Sequence, residues 1–255
     1  MADTPILELR GVSKRFGAVE ALTKVDFTVR AGDVQALVGD NGAGKSTLIK
    51  GIAGIYPFDE GDFFFSGHKV QVNSPRESAE LGIKVVYQDL ALADNLDVVA
   101  NMFLGREEIN PPWRLNEAVM EREAIKTLAS LSVTTLRSVR QIIAGLSGGQ
   151  RQAVAIARAV MGDAKLVILD EPTAALGVAQ TRQVLDLVRR LAEKGLAVIM
   201  ISHNLHDIFE CADRITVLRL GHNVAEYVRR ETNQQEVVQA ITAGKISNVP
   251  GMKEA

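Results

Sequence analysis

Cysteine is nearly missing from this chain: Cys211 is the sole thiol in 255 residues. That excludes an intramolecular disulfide and fits a reducing compartment. A lone thiol in an apolar helix reads as a small core residue. An excess of charge is missing too, since 29 basic and 31 acidic side chains leave a formal net charge of −2. With no basic run either, no surface for nucleic acid or anionic lipid is expected. No apolar stretch reaches the ~18 residues that a membrane-spanning helix needs. Met1-Ala2-Asp3-Thr4-Pro5 offers neither a positive n-region nor an apolar h-region, so no signal peptide is expected. His68, His206 and His222 lack metal-ligand spacing. Any work at a membrane would pass through a partner.

What is present points to phosphate. Gly39-Asp40-Asn41-Gly42-Ala43-Gly44-Lys45-Ser46-Thr47 follows an apolar run at 34–38 and opens a helix at Lys45. Glycines let successive backbone N–H groups point into one concave nest, and the helix adds its positive end. In a loop of this spacing Lys45 reaches the β- and γ-phosphates of a nucleoside triphosphate, and the Ser46 hydroxyl ligates Mg²⁺. A second apolar run, 165–169, ends in Asp170-Glu171-Pro172. Both runs are continuous, as in parallel strands covered on both faces. Asp170 is placed to hold Mg²⁺ and Glu171 to orient the attacking water, because phosphoryl transfer depends mainly on positioning and charge stabilisation.

About a hundred residues after the first loop stands another glycine-rich one, Leu146-Ser147-Gly148-Gly149-Gln150. Ser147 is a good helix cap. Two glycines directly after a cap weaken a helix start by up to ~1 kcal/mol each, which argues for close ligand approach there. The order of phosphate loop, Tyr87-Gln88, this second loop, Asp170-Glu171 and Ser202-His203 resembles the ATP-binding subunit of an ABC transporter, over about residues 7–228. Several runs are similar to subunits that energise import of ribose-, xylose- and fructose-type sugars. These are Lys14-Arg15-Phe16-Gly17-Ala18-Val19-Glu20-Ala21-Leu22, Tyr87-Gln88-Asp89-Leu90, residues 100–107, and Glu171-Pro172-Thr173-Ala174-Ala175-Leu176-Gly177-Val178.

The resemblance implies further roles. Phe16 would stack on adenine. Gln88 would contact Mg²⁺ and the γ-phosphate. His203 would hydrogen-bond a γ-phosphate oxygen. Ser147, Gly148, Gly149 and Gln150 would cover the ATP of a second copy. Membrane permease subunits and an extracytoplasmic sugar-binding protein would complete the machine, with this chain peripheral on the cytoplasmic face. Many sugar-importer ATPases carry a second domain; here two copies would supply the two sites. In one place the sequence departs from the family. Gly177 stands where an Asp usually speaks across the dimer, so that coupling would run through backbone. The rival readings are import of another small solute, a soluble ABC ATPase acting on nucleic acid or ribosomes, and a nucleotide-dependent regulatory module with little catalysis.

The expected fold is α/β: one domain over residues 1–255, with a P-loop core around a mainly parallel sheet. An antiparallel β subdomain comes first, with strands at 6–9, 25–29, 62–65 and 70–72 and a hairpin turn at Ser66-Gly67. A helix starts at Ser74-Pro75-Arg76-Glu77. A helical subdomain is inserted at about 89–145, with Asp97 as a cap and a helix at 116–131. Helix and strand then alternate at 147–161, 165–169, 178–193 and 196–201, as in parallel β-α-β units. Strands at 215–219 and 224–229 flank a turn at Gly221-His222-Asn223, a helix follows at 234–242, and the polar tail after Gly244 is expected to fray.

Overall fold

The computed structural model describes residues 4–244. The tail beyond Gly244 lies outside the described residues, as does Met1-Ala2-Asp3. A central sheet of six strands has the order β12-β11-β3-β10-β9-β6. Its members are β3 (Val34–Val38), β6 (Ile83–Val86), β9 (Leu166–Asp170), β10 (Ala197–Ile201), β11 (Arg214–Arg219) and β12 (His222–Val228). All neighbours are parallel except β11 and β12.

The unbroken apolar runs have a plain cause: both faces of the sheet are buried. Leu37, Leu166, Ile168, Ala197, Ile199 and Ile201 face one core, shared with an antiparallel sheet and helix α1 (Lys45–Ile52). Val34, Ala36, Val38, Val167, Leu169, Val198 and Met200 face the opposite core. That core also takes α3 (Val98–Phe103), α4 (Glu117–Ser130), α5 (Gly148–Val160), α6 (Val178–Glu193), α7 (Leu205–Cys211) and α8 (Gln234–Ala243). No helix among the described residues is long and apolar enough to cross a membrane.

The antiparallel sheet, β2-β1-β4-β5, is longer than its sequence pattern suggests. β1 (Leu7–Phe16) and β2 (Val19–Val29) continue well past the alternating stretches at 6–9 and 25–29. Register shifts after Leu9 break the alternation, and at the first of them Gly11 donates its N–H to Asp26 (2.7 Å). β4 (Glu60–Phe65) and β5 (His68–Val70) join through Ser66 and Gly67, both at positive φ, as the hairpin turn requires. The second strand ends at Val70 rather than Val72. α2 (Pro75–Glu80) starts as expected: Ser74 Oγ accepts from Glu77 N–H (3.3 Å).

Two local features differ from the sequence pattern. The last hairpin turns at Leu220-Gly221, not at Gly221-His222-Asn223. Asn223 is instead a strand residue whose amide pairs with the Asp26 backbone in both directions, at 2.8 and 2.9 Å, tying the two sheets together. The inserted subdomain is also less purely helical than its pattern. Between α3, capped by Asp97, and α4, capped by Asn116, stands a short hairpin of β7 (Ile109–Asn110) and β8 (Arg114–Leu115). Cys211 is buried at the end of α7 with Sγ 3.3 Å from Met200 Sδ, and burial pushes the thiol up to about 12.

Candidate functional site

The parallel strands deliver their C-terminal ends to one edge of the sheet, where open α/β sheets bind ligands. Ile201 stands level with Leu37 on one side and with Asp170 on the other, while Val86 stands beside Leu169. The loops that leave these ends therefore meet. One cleft is lined by Gly39 to Thr47, Gln88, Asp170, Glu171 and His203, with Val19 to Ala21 on its rim.

Within the cleft the phosphate loop is fixed by its own backbone. Gly39, Gly42 and Gly44 all have positive φ, and a Cβ on Gly39 would stand 2.2 Å from the Leu218 carbonyl. Lys45 Nζ donates to the carbonyls of Gly39 (2.6 Å) and Asp40 (3.0 Å). Burial lowers the Lys45 pKa, against the opposing pull of Glu171, Asp40 and Asp170. Burial and the nearby Glu171 raise that of Asp170, against Lys45 and Lys50. Among the described residues no cluster of three His, Cys, Asp or Glu could hold a metal unaided. The hydroxyl of Ser46, the carboxylate of Asp170 and the amide of Gln88 instead form a hard-oxygen set on one cleft, of the sort that holds Mg²⁺ together with substrate phosphates.

Glu171 is held from several directions. Its φ is +50°, a left-handed conformation that costs a non-glycine residue about 1–3 kcal/mol and persists only where surroundings enforce it. Its N–H donates to Ile201 (2.9 Å), and its carboxylate lies 2.8 Å from Nδ1 of His203. With Nδ1 toward Glu171, Nε2 is the ring nitrogen left to face a ligand.

Other expected residues fall elsewhere. Phe16 ends β1 and pairs with Val19 across the hairpin; Val19 lines the cleft, and the Phe16 ring, 46% exposed, packs edge-on against Tyr56 with centroids 5.1 Å apart. The Lys14 ammonium sits over both rings while bonding Asp59 (2.7 Å), and Tyr56 donates to Thr47 (3.0 Å). Ser147, Gly148, Gly149 and Gln150 do not line this cleft. Ser147 caps α5 in a capping box with Gln150, whose amide also donates to Thr135 (2.6 Å). Gln150 is thus engaged at both ends of its amide within its own chain. The two glycines also have an internal reason: a Cβ would lie 2.9 Å from Leu176 at Gly148 and 3.1 Å from Gln180 at Gly149. Gly177 is different, with ordinary φ of −74° and open space around a Cβ.

A second groove runs where the inserted subdomain meets the core, lined by Tyr87, Leu90, Leu104, Arg106 and Arg158 among others. Arg106 donates to the Met102, Arg158 and Met161 carbonyls, and Arg158 to those of Leu90 and Ala91. Neither forms an ion pair among the described residues, and burial lowers the pKa of both.

Sequence reading missed the ties that hold these groups: the Glu171–His203 pair, Tyr56 behind Phe16, and a buried bond between Thr173 and Asp207. The presence of an apolar run before each of Glu171 and His203 was the available signal for the first.

Fold and cleft together define a P-loop nucleotide-binding ATPase. Residues 22–174 match the family model described as ABC transporter. A fructose import ATP-binding protein of Rhizobium meliloti is 44% identical over 251 residues, with 96% of each chain covered. A xylose/arabinose import ATP-binding protein of Sulfolobus acidocaldarius is 47% identical over 244 residues, again with 96% of each covered. A ribose import ATP-binding protein of Caldanaerobacter subterraneus is 37% identical across 95% of this chain but 48% of its own length, so this chain spans about half of that relative. Among solved structures, an ABC transporter ATP-binding cassette in its ADP conformation superimposes with a TM-score of 0.80 at 28% identity, covering 95% of this chain and 96% of that one. A dimeric bacterial ABC transporter cassette gives 0.72 at 25% identity, covering 88% and 99%. The chain belongs to the ATP-binding family of ABC transporters, and it is an ATPase of that family.

Proposed function

We propose that this chain powers import of a small sugar through membrane permease subunits, working as one of two copies that close on shared ATP. The observation that carries the reading is the meeting of Lys45, Ser46, Gln88, Asp170, Glu171 and His203 on one cleft, while the Ser147 loop lies outside it. A cleft with its own phosphate loop, and a capped helix start that its own cleft does not use, fit a nucleotide sandwiched between copies. The sugar follows from relatives whose names specify fructose, xylose/arabinose and ribose import, at 44%, 47% and 37% identity.

In this mechanism the loop N–H groups and Lys45 hold the β- and γ-phosphates. Phe16 covers the adenine at the rim. Glu171 orients the attacking water, and His203, turned by its Nδ1 contact, offers Nε2 to a γ-phosphate oxygen. Ser46, Asp170 and Gln88 would hold Mg²⁺, which when bound neutralises charge on the phosphates. Ser147, Gly148 and Gly149 present N–H donors of the α5 start to the partner's ATP, and Gln150 keeps that loop in shape. Loss of the bridging phosphate then opens the pair. The groove next to Tyr87, part apolar and carrying two guanidiniums without ion pairs among the described residues, is the surface through which the inserted subdomain would pass this motion to a permease on the cytoplasmic face. An extracytoplasmic sugar-binding protein would supply the cargo.

The test is deletion of the gene in its own host, followed by uptake of labelled ribose, xylose, arabinose and fructose. Uptake of one of them should fall to background and return with the wild-type gene but not with a Lys45→Ala copy. Unchanged uptake of all four overturns the sugar assignment.

A further inference from the structure

The loop that carries Glu171 is anchored by residues that do not line the nucleotide cleft. Thr173, two residues on, turns its hydroxyl into the protein and donates to Asp207 Oδ2 at 2.6 Å; both residues are buried. Asp207 belongs to α7, just after the loop of His203. Its other oxygen accepts from Asn204 Nδ2 (3.0 Å), and Asn204 N–H donates to Ser202 Oγ (3.0 Å). One carboxylate therefore grips the residues just beyond Glu171 with one oxygen and those just beyond His203 with the other.

The structure assigns to Asp207 and Thr173 the role of positioning residues: together they set the Glu171–His203 contact, and so the place where the attacking water is held in line. The inference rests on Glu171 being the water-orienting residue. The physical case has three parts. Glu171 sits at φ +50°, which its own chemistry does not favour, so an outside restraint must hold it. The stretch after it is short and tightly turned, with Ala174 N–H on the Glu171 carbonyl (3.1 Å) and Leu176 N–H on that of Thr173 (3.3 Å), so that fixing Thr173 fixes Glu171. A charge-assisted hydroxyl–carboxylate bond that is shielded from water is short and directional, which suits a restraint. Asp207 lines no part of the nucleotide cleft. A helix acid with only a local role would bond its own helix start, as Asp207 does through Asn204, but would not reach across to the Glu171 loop.

The experiment uses the full chain, with phosphate release, fluorescent-ATP affinity and melting temperature measured on each variant. Thr173→Val keeps the shape and removes the donor. Its kcat should fall about 10–100-fold, the scale set by misplacing a reacting group by about 1 Å, while ATP affinity stays within about twofold. Thr173→Ser restores the donor and should recover most of the turnover. Asp207→Leu removes both acceptor oxygens and should lose turnover likewise, and joining it to Thr173→Val should add little to that loss, since the Thr173–Asp207 bond is already gone. The ¹⁵N resonances of His203 should move in both. Glu171→Gln is measured in parallel. If it is inactive while Thr173→Val turns over like wild type, the positioning role is refuted and the role of Glu171 stands. If Thr173→Ser fails to rescue, or turnover falls only in step with ATP affinity and melting temperature, the bond is structural and the inference fails. Normal hydrolysis by Glu171→Gln overturns both readings.

Discussion

The two glycine-rich loops use glycine for different physical reasons. In the first, Gly39, Gly42 and Gly44 hold positive φ, so the residue type serves the backbone path itself. In the second, Gly148 and Gly149 open an ordinary capped helix, and the missing Cβ makes room for Leu176 and Gln180 of the same chain. Charge divides them further. The first loop carries Lys45 and shares its cleft with Asp170, Glu171 and His203, whereas the second carries only Ser147 and an amide already bonded. One loop is a site in itself. The other lies outside that cleft, and in the proposed reading its N–H donors serve a site completed by a second copy.

The sharpest way to break this division is Glu171→Gln. If the charged machinery all lies in the first cleft, kcat should fall by about 10²–10³-fold, in the range general acid–base groups contribute, with ATP affinity retained. Next comes the second loop. Gly149→Asp would collide with Gln180, so Ser147→Asp is the cleaner probe: Asp caps as well as Ser but sets a carboxylate against the partner's phosphate. Turnover should drop at least about tenfold, roughly the effect of 1.4 kcal/mol. Mixing Ser147→Asp with Lys45→Ala chains should restore part of it, because one composite site then has both loops intact. Activity that rises linearly with protein, joined to no rescue, would erase the difference between the loops. A smaller effect is expected at the rim. Phe16→Ala should weaken ATP binding roughly tenfold with kcat nearly unchanged, since stacking on an aromatic is worth about 1–3 kcal/mol per base.

The smallest effect concerns charge in the first cleft alone. Asp170 has a raised pKa through burial and Glu171, so its ionised form opposes folding. The group is only half-buried, and solvent screens it. Asp170→Asn should therefore raise the melting temperature of the nucleotide-free chain by no more than about 2–4 °C, the shift that about 1 kcal/mol makes at this size. The gain should be absent below the ordinary carboxyl value of 3.8, grow between that and the raised value, and be complete at neutral pH. A gain that is the same at pH 3 and pH 7, taken as about the two ends of that titration, would remove charge as its cause.

The phosphate loop and the Asp170-Glu171 pair were legible because each follows a strand buried on both faces, and such strands write themselves as unbroken apolar runs. Ser74, Asp97 and Ser147 were legible as caps because a cap bonds within its own turn. The length of β1 was not, since the register shifts past Leu9 erase the period of two. The β7–β8 hairpin was missed because each strand is two residues long and shows no period. The internal fit of Gly148 and Gly149 was not legible, because their neighbours Leu176 and Gln180 are distant in sequence.

Short spacing and local capping were enough to read most of the elements and to name the residues proposed to meet phosphate, since both signals run along the chain. What holds those groups in place came only with the fold. Parallel pairing of β9 and β10 sets Glu171 beside His203, and a bond spanning 34 residues ties Thr173 to Asp207. Packing at the rim turns Phe16 onto Tyr56. These contacts join residues whose separation along the chain carries no period, so only the folded backbone brings them within the few ångströms over which hydrogen bonds and packing act.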